Sequence, residues 1–291
     1  MHFDKKDHLF NWSINLTLIL LSSIILIPLI FIISNSLSGI NDVYYGKVFL
    51  IPKNITFKAY QMVLMNSKIL TGFKNTILYT LIGTLISLSM TLTAGYALSR
   101  DDLPFKRYIN IFFILTMFIS GGMIPTYLVV EKLGLIDNFF GFILPGALSV
   151  WNVLVVRTFF KISIPSDIED AAQIDGCSDF KLFLKIVLPM SKPIIAIMIL
   201  YYAVGYWNSY FNSLLYLNSS NLFPLQRVLS DLLITSDPSN WGVGGGLEEQ
   251  GRMLKSLQYT TIIISSLPMI ALYPFVQKHF VKGALMGSIK G

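Results

Sequence analysis

Apolar residues in this chain run together instead of recurring at a period of 2 or 3.6. Six stretches of 18 or more residues hold no Asp, Glu, Lys or Arg: 8–41, 75–99, 108–130, 138–156, 193–226 and 256–277. A helix crossing a hydrocarbon layer of ~30 Å needs ~20 apolar residues at ~1.5 Å each. The two longest windows, 34 residues each, fall short of the ~40 that two crossings require. Their polar ends, Ser34–Asn41 and Asn218–Asn221, shorten them further. The pattern predicts six transmembrane helices near 12–34, 75–99, 108–130, 138–157, 193–216 and 256–277. The fold class is an all-α integral membrane protein. A soluble protein with buried apolar helices is the alternative, and six such windows are too many to hide from water. Lys5 and Lys6 ahead of the first run resemble a signal peptide. That run lasts to about Ile33, beyond the 7–15 residues of a signal core, and no small-x-small site follows. It is read as an uncleaved first helix.

Composition narrows the function. Of 291 residues, 54% are hydrophobic and 13% charged, and the mean hydropathy is +0.64. Soluble domains carry ~25% charged residues. The 22 Lys+Arg against 16 Asp+Glu leave a net charge of +6, which in so apolar a chain suits membrane-flanking loops better than a nucleic-acid surface. Cys177 stands alone, and His2, His8 and His279 lie near the termini without partners at metal-ligand spacing. No metal site, cofactor site or catalytic residue is expected. No G-x-x-x-x-G-K-[ST] phosphate loop occurs either. With an even number of crossings both termini share a side. Placing them in the cytoplasm puts 13 of the 22 basic residues inside, a weak bias in the expected direction.

The segment 164–193 is the one long polar stretch between cytoplasmic helix ends. Pro165, Ser166 and Glu169 form a capping-box pattern, and Asp167 and Asp170 add negative charge at the helix start. A helix is predicted from about Asp167 to Ile174, a bend at Gly176, then a second helix. Phe180, Phe183, Leu184 and Val187 would share its apolar face, and Pro189 and Pro193 would end it. A helix lying on the lipid surface is the plain alternative. The small Ala171 and Ala172 beside a bend, and the acidic Glu169, Asp170, Asp175 and Asp179, suit a protein groove better than an anionic membrane.

The run Asp170-Ala171-Ala172-x-x-Asp175-Gly176, nine residues, then Ile186-x-Leu188-Pro189, resembles the EAA loop of bacterial ABC-importer permeases. Asp170 stands where that family usually has Glu. The stretches 121–127, 206–212 and 273–291 are similar to the carbohydrate-uptake branch, and within it to the second permease subunit of maltose-type oligosaccharide importers. The resemblance implies a type I ABC importer permease fold and a subunit for sugar or oligosaccharide uptake. Its implied partners are a second homologous permease, two cytoplasmic ATPase subunits carrying ATP and Mg, and an extracellular or periplasmic solute-binding protein. It implies that Glu169, Asp170, Ala171, Ala172, Asp175, Gly176, Phe180, Phe183 and Pro189 form the ATPase-coupling segment. The implied location is the bacterial cytoplasmic membrane, with N- and C-termini inside. The implied organisation is an N-terminal tail, helix and external loop over 1–71, a five-helix core over 72–277, and a cytoplasmic tail over 278–291. Peptide, amino-acid or phosphate import on the same fold is the nearer rival. A secondary transporter or membrane enzyme is the farther one, disfavoured because the windows hold no buried acid or base.

Three other features carry candidate roles. Trp207, Asn208, Tyr210 and Asn212 join aromatic rings and amides in the predicted fifth helix. They suit a sugar pathway or, equally simply, interhelical hydrogen bonding. Trp241, Gly242, Gly244 and Gly245 lie in the outside loop before Lys255. The corresponding loop of maltose-type importers reaches into the binding protein; an ordinary surface loop is the alternative. The first outside loop bears Lys47, Lys53, Lys58, Lys68 and Lys74 against Asp42, a docking or merely solvated face. Pro268 and Pro274 mark a kink or hinge in the sixth helix.

Overall fold

The computed structural model describes residues 5–235 and 247–288, and within them the elements are helices joined by short turns. In chain order they are α1 (Lys5–Ser36), α2 (Ile40–Tyr44), α3 (Lys58–Met65), α4 (Ser67–Ser99), α5 (Lys106–Phe118), α6 (Met123–Lys132), α7 (Phe139–Ile143) and α8 (Val150–Ser163). There follow α9 (Ser166–Ile174), α10 (Asp179–Leu182), a π-helical turn (Phe183–Val187), α11 (Leu188–Met190), α12 (Lys192–Trp207), α13 (Phe211–Tyr216), α14 (Leu225–Thr235) and α15 (Leu247–Ser288).

Two helices are individually long and apolar enough to cross a membrane: Phe10–Ser36 of α1, and α4. Three more windows fold as bent pairs: α5 with α6 at 113°, α7 and the following turn with α8 at 55°, and Asp179–Met190 with α12 at 84°. These bring the spans to as many as five among the described residues. The sixth window, 256–277, lies on the continuous helix α15.

The bends correct three predicted helices. The run 108–130 breaks after Phe118 because Gly122 adopts φ +87° at the start of α6. The run 138–157 turns before Ser149, whose hydroxyl accepts from Asn152 N and so starts α8. The run 193–216 stops at Trp207; Asn208 closes α12, and α13 is a separate short helix.

The chain forms two compact units. In the first, residues 1–70 with 229–268, α1 exposes apolar side chains such as Phe10, Trp12, Leu18, Ile24 and Leu29. A helix apolar on all sides and uncovered is a lipid-facing element. Its polar end is buried instead: Ser34 Oγ donates to Leu50 O at 2.6 Å, and Ser38 Oγ accepts from Lys53 N at 3.0 Å. These bonds fold the 37–57 loop back on α1. Thr260 Oγ1 donates to Ser36 O at 3.4 Å, and Phe31 meets Tyr259 edge-on at 5.8 Å, fixing α15 to the same end.

The second unit, residues 71–228 with 269–291, is organised by α4. Small residues recur on one side of α4 about every fourth position: Gly72, Thr76, Thr80, Gly83, Ser87, Thr91 and Gly95. Such a stripe lets neighbouring backbones approach closely in lipid, where packing and hydrogen bonds drive association. Thr76 Oγ1 accepts from Leu225 N at 2.7 Å, Ser87 and Thr91 bond to Tyr206 and Tyr202, and Gly95 lies against Val156. The core beside this stripe holds Tyr79, Phe142, Phe160, Phe183, Met198 and Tyr206.

Candidate functional site

The polar segment 164–193 folds as a helix, a sharp turn and a second helix with a π-helical turn. Helix α9 begins at Ser166 with Asp167 and Glu169 in its first turn. It ends in a Schellman motif: Cys177 N donates to Ala172 O at 2.9 Å while Gly176 takes φ +70°. Only a residue tolerant of the left-handed region closes this turn without strain. Ala172 and Phe183 are both buried, the Phe183 ring stacked on Tyr96 at 5.0 Å. Asp170, Ala171, Asp175, Gly176, Phe180 and Pro189 are exposed. The π-helical turn at Phe183–Val187 shifts the helical phase, so the expected apolar face divides. Phe183 and Val187 point into the core, whereas Phe180 and Leu184 remain outside with the exposed Ile174.

Arg100, just beyond α4, is the charged centre of this end. Its side chain is 8% exposed, yet it meets carboxylates from three segments. Nε and Nη2 donate to Asp102 at 2.9 and 2.6 Å, Nη1 lies 3.0 Å from Glu169, and Nη2 lies 3.6 Å from Asp179. The hydrogen bonds to Asp102 hold Arg100 firmly protonated against its burial, and the same bonds lower the Asp102 carboxyl. Burial raises Glu169, with Asp102, Asp101 and Asp170 adding to the rise, against the pull of Arg100. Lys106 donates to Asp101 at 2.7 Å and lowers that acid. A cleft of about 590 Å³ opens beside the cluster, walled by Arg100, Asp101, Lys161, Pro165, Glu169 and Asp170. Sequence reading missed Arg100, because its partners lie 69 and 79 residues further along the chain.

A second cavity, of about 240 Å³, lies among α8, α12 and α13. Its polar lining comes from Ser149, Asn152, Tyr202, Tyr206, Ser209 and Asn212, with backbone at Gly146 and Gly205. Two tyrosines are fixed from behind: Tyr202 shares a 2.6 Å hydrogen bond with Thr91, and Tyr206 shares one of 2.9 Å with Ser87. Asn152 is 2% exposed, and its Nδ2 has no partner among the described residues. The cavity lining carries no charged side chain. The hydroxyls of Tyr202 and Tyr206 are taken up by Thr91, Ser87 and Ile143 O, so these tyrosines present mainly their rings to the cavity.

Of the four expected pathway residues, only Asn212 reaches this cavity. Trp207 is buried edge-on to Phe73 at 5.8 Å, and Asn208 Nδ2 returns to Val204 O within its own helix. Tyr210 is half-buried outside the lining. The tyrosines at 201, 202 and 206 and the single amide Asn152 were the available signal, one helix turn and one window away. Trp241, Gly242, Gly244 and Gly245 lie outside the described residues.

Known proteins resemble this chain over nearly its whole length. The polygalacturonan/rhamnogalacturonan transport system permease protein YtcP of Bacillus subtilis is 39% identical, over 98% of this chain and 100% of its own. Protein LplC of the same organism is 38% identical, over 100% and 98%. A chain in the crystal structure of a bacterial ABC transporter involved in the import of the acidic polysaccharide alginate superimposes with a TM-score of 0.87. Its identity is 31%, over 96% of this chain and 99% of that one. The model of the binding-protein-dependent transport system inner membrane component family matches residues 90–286. Its span takes in the segment 164–193 and the lining of the uncharged cavity, and this chain belongs to that family of transport permeases.

Proposed function

We propose that this chain is a permease subunit of an ATP-driven importer of a sugar or oligosaccharide, forming half of the translocation pathway. The observation that carries the cargo class is the similarity, over nearly the whole chain, to permeases whose names specify carbohydrates. The full-length likeness to the YtcP permease and to the alginate-importer chain supports it. Both named relatives concern acidic polysaccharides, so uronate oligomers head the candidate cargo.

In this reading the helix–turn–helix of 164–193 docks on a cytoplasmic ATPase. The exposed Ile174 and Phe180 and the acidic Asp170 and Asp175 form the docking surface, and the buried Ala172 and Phe183 tie that surface to the membrane helices. ATP and Mg sit on the ATPase pair, not on this chain. A second homologous permease completes the pathway, and a solute-binding protein delivers cargo from outside, meeting the loop that carries Trp241, Gly242, Gly244 and Gly245. Residues 1–71 form a tail, first helix and external loop, 72–277 the five-helix core, and 278–291 a cytoplasmic tail. Both termini then face the cytoplasm.

The test is uptake by the assembled importer in lipid vesicles, with binding protein outside and ATP inside. Labelled trigalacturonate, a neutral arabinooligosaccharide and a tripeptide are compared. ATP-dependent entry of either carbohydrate supports the reading; entry of the peptide alone refutes it.

A further inference from the structure

Helix α9 is weakly anchored by apolar packing, since among its described side chains only Ala172 is buried. Its one strong tie is polar. Arg100 leaves the end of α4, and its guanidinium meets Glu169 of α9 at 3.0 Å and Asp179 of α10 at 3.6 Å while Asp102 holds its other edge. A cation this buried is tolerable only when paired, and a planar guanidinium fork can serve several carboxylates at fixed angles. One turn earlier, Tyr96 stacks on Phe183. Further back along α4, Thr91 bonds to Tyr202, and Ser87 bonds to Tyr206. These two tyrosines line the 240 Å³ cavity. Helix α4 therefore touches the turn of 164–193 near its C-terminal end and the cavity wall through Ser87 and Thr91 further back.

We propose that Arg100 is a positioning residue for energy coupling: it locks α9 and α10 to α4, so that α4 moves together with the docking turn and with Tyr202 and Tyr206 of α12, to which it is hydrogen-bonded. The inference rests on the importer reading above. In sequence, the turn is flanked by α8 and α12; Arg100 makes the non-adjacent α4 part of the same rigid body. Without it, α12 would still follow the turn along the chain, while α4 would be tied to the turn by the Tyr96–Phe183 stack without the ionic lock.

The test uses the full importer with its ATPase in lipid vesicles and follows a distance that does not depend on cargo. Spin labels are placed at Asp167→Cys on α9 and Ser89→Cys on α4, both exposed positions, in a Cys177→Ser background. With Arg100 intact, the label–label distribution stays narrow with and without ATP. Arg100→Gln broadens it when ATP is added, Glu169→Gln does the same, and the double variant is no worse than either single one. Uptake per ATP hydrolysed falls by about two- to thirtyfold, the range expected for residues along a coupling network. Arg100→Lys keeps the charge without the fork and gives an intermediate width, which covers the case of an Arg100→Gln chain that fails to insert. A distribution as narrow as the wild type in Arg100→Gln or Arg100→Lys overturns the proposal, as does strict multiplication of the two single effects. If the wild-type importer hydrolyses ATP but carries no sugar, the cargo reading fails. The label distances still decide the role of Arg100.

Discussion

The ring of Tyr206 fills the space that a side chain at position 83 would need. A Cβ on Gly83 would lie 2.7 Å from Tyr206 Cζ and 2.8 and 2.9 Å from its ring carbons. The same tyrosine hydroxyl donates to Ile143 O at 3.2 Å, so its bond with Ser87 at 2.9 Å has the serine as donor. Tyr206 thus joins α4, α7 and α12 in one place, with its apolar face set by a glycine and its oxygen by two partners.

Gly83→Ala should therefore destabilise the chain. Overpacking of this kind costs ~1–3 kcal/mol, because a ring pinned by two hydrogen bonds cannot step aside freely. Gly205→Ala, on the partner helix with nothing within 4 Å of its Cβ, is the control. Thermal unfolding in detergent should show a lower midpoint for Gly83→Ala and an unchanged or higher one for Gly205→Ala. Equal midpoints would show that α4 and α12 are not packed through this contact.

Much of this was legible in the sequence for a physical reason. Charge cannot be left in hydrocarbon, so uncharged windows mark the segments that lie within it. Gly176 was legible too, as a helix stop between two patterned segments. The bends after Phe118 and at Asn208 were not, because a window free of charge reports how much chain lies in the apolar layer and not its direction. Trp207 illustrates the same limit: an aromatic next to an amide reads as a sugar site, but helix phase turns it toward Phe73. Asn152 and Arg100 were hidden differently, since their importance depends on burial and on partners distant along the chain.

Asp137 offers a pH test. It sits at φ +56°, and its carboxylate accepts from Ser219 Oγ at 2.5 Å, Ser219 N at 2.8 Å and Asn218 N at 2.9 Å. The Ser219 hydroxyl, then the two backbone amides, hold its carboxyl below the ordinary value. A depressed folded-state value means stabilisation that is present above the unfolded value of ~4 and lost as pH falls through the folded one. Unfolding midpoints of the wild type and Asp137→Asn should differ at pH 6, and the difference should start to shrink as pH falls below about 4. A difference that stays constant down to pH 3 would show that the carboxylate charge plays no part in this loop.

Substitutions in the docking turn should separate backbone from surface. A Cβ on Gly176 would meet nothing within 4 Å, so Gly176→Ala suffers only from the left-handed backbone, about 1 kcal/mol. Gly176→Asn tolerates that region better and should keep more function than Gly176→Val. Ala172→Asp differs, because it places a carboxylate in a buried position with Glu169 and Asp170 close by in sequence. Co-purification of the ATPase with each variant should rank Asn above Val at position 176, with Ala172→Asp lowest. Full ATPase retention by Ala172→Asp would place the docking surface elsewhere.

Asn152 gives the most discriminating test, because stability and transport should move in opposite directions. Its amide is nearly fully buried, lines the cavity and leaves Nδ2 without a partner among the described residues. An unpaired buried donor costs the free protein ~1–3 kcal/mol, whereas an apolar group of similar shape does not incur that cost. Asn152→Leu should therefore unfold at the same temperature as the wild type or higher. If the Asn152 amide turns toward the cavity and a sugar hydroxyl accepts from Nδ2 during passage, the same variant loses one hydrogen bond of ~0.5–1.5 kcal/mol, a roughly two- to thirteenfold loss in uptake at low cargo concentration. Asn212→Leu, across the cavity, should weaken uptake likewise. Trp207→Phe keeps its aromatic contact with Phe73 away from the cavity and should leave uptake near the wild-type level. Midpoint and uptake are measured on the same preparations. An Asn152→Leu chain with unaltered uptake would show that the cargo does not pass through this cavity; one that both unfolds early and transports poorly would show that the amide serves the fold.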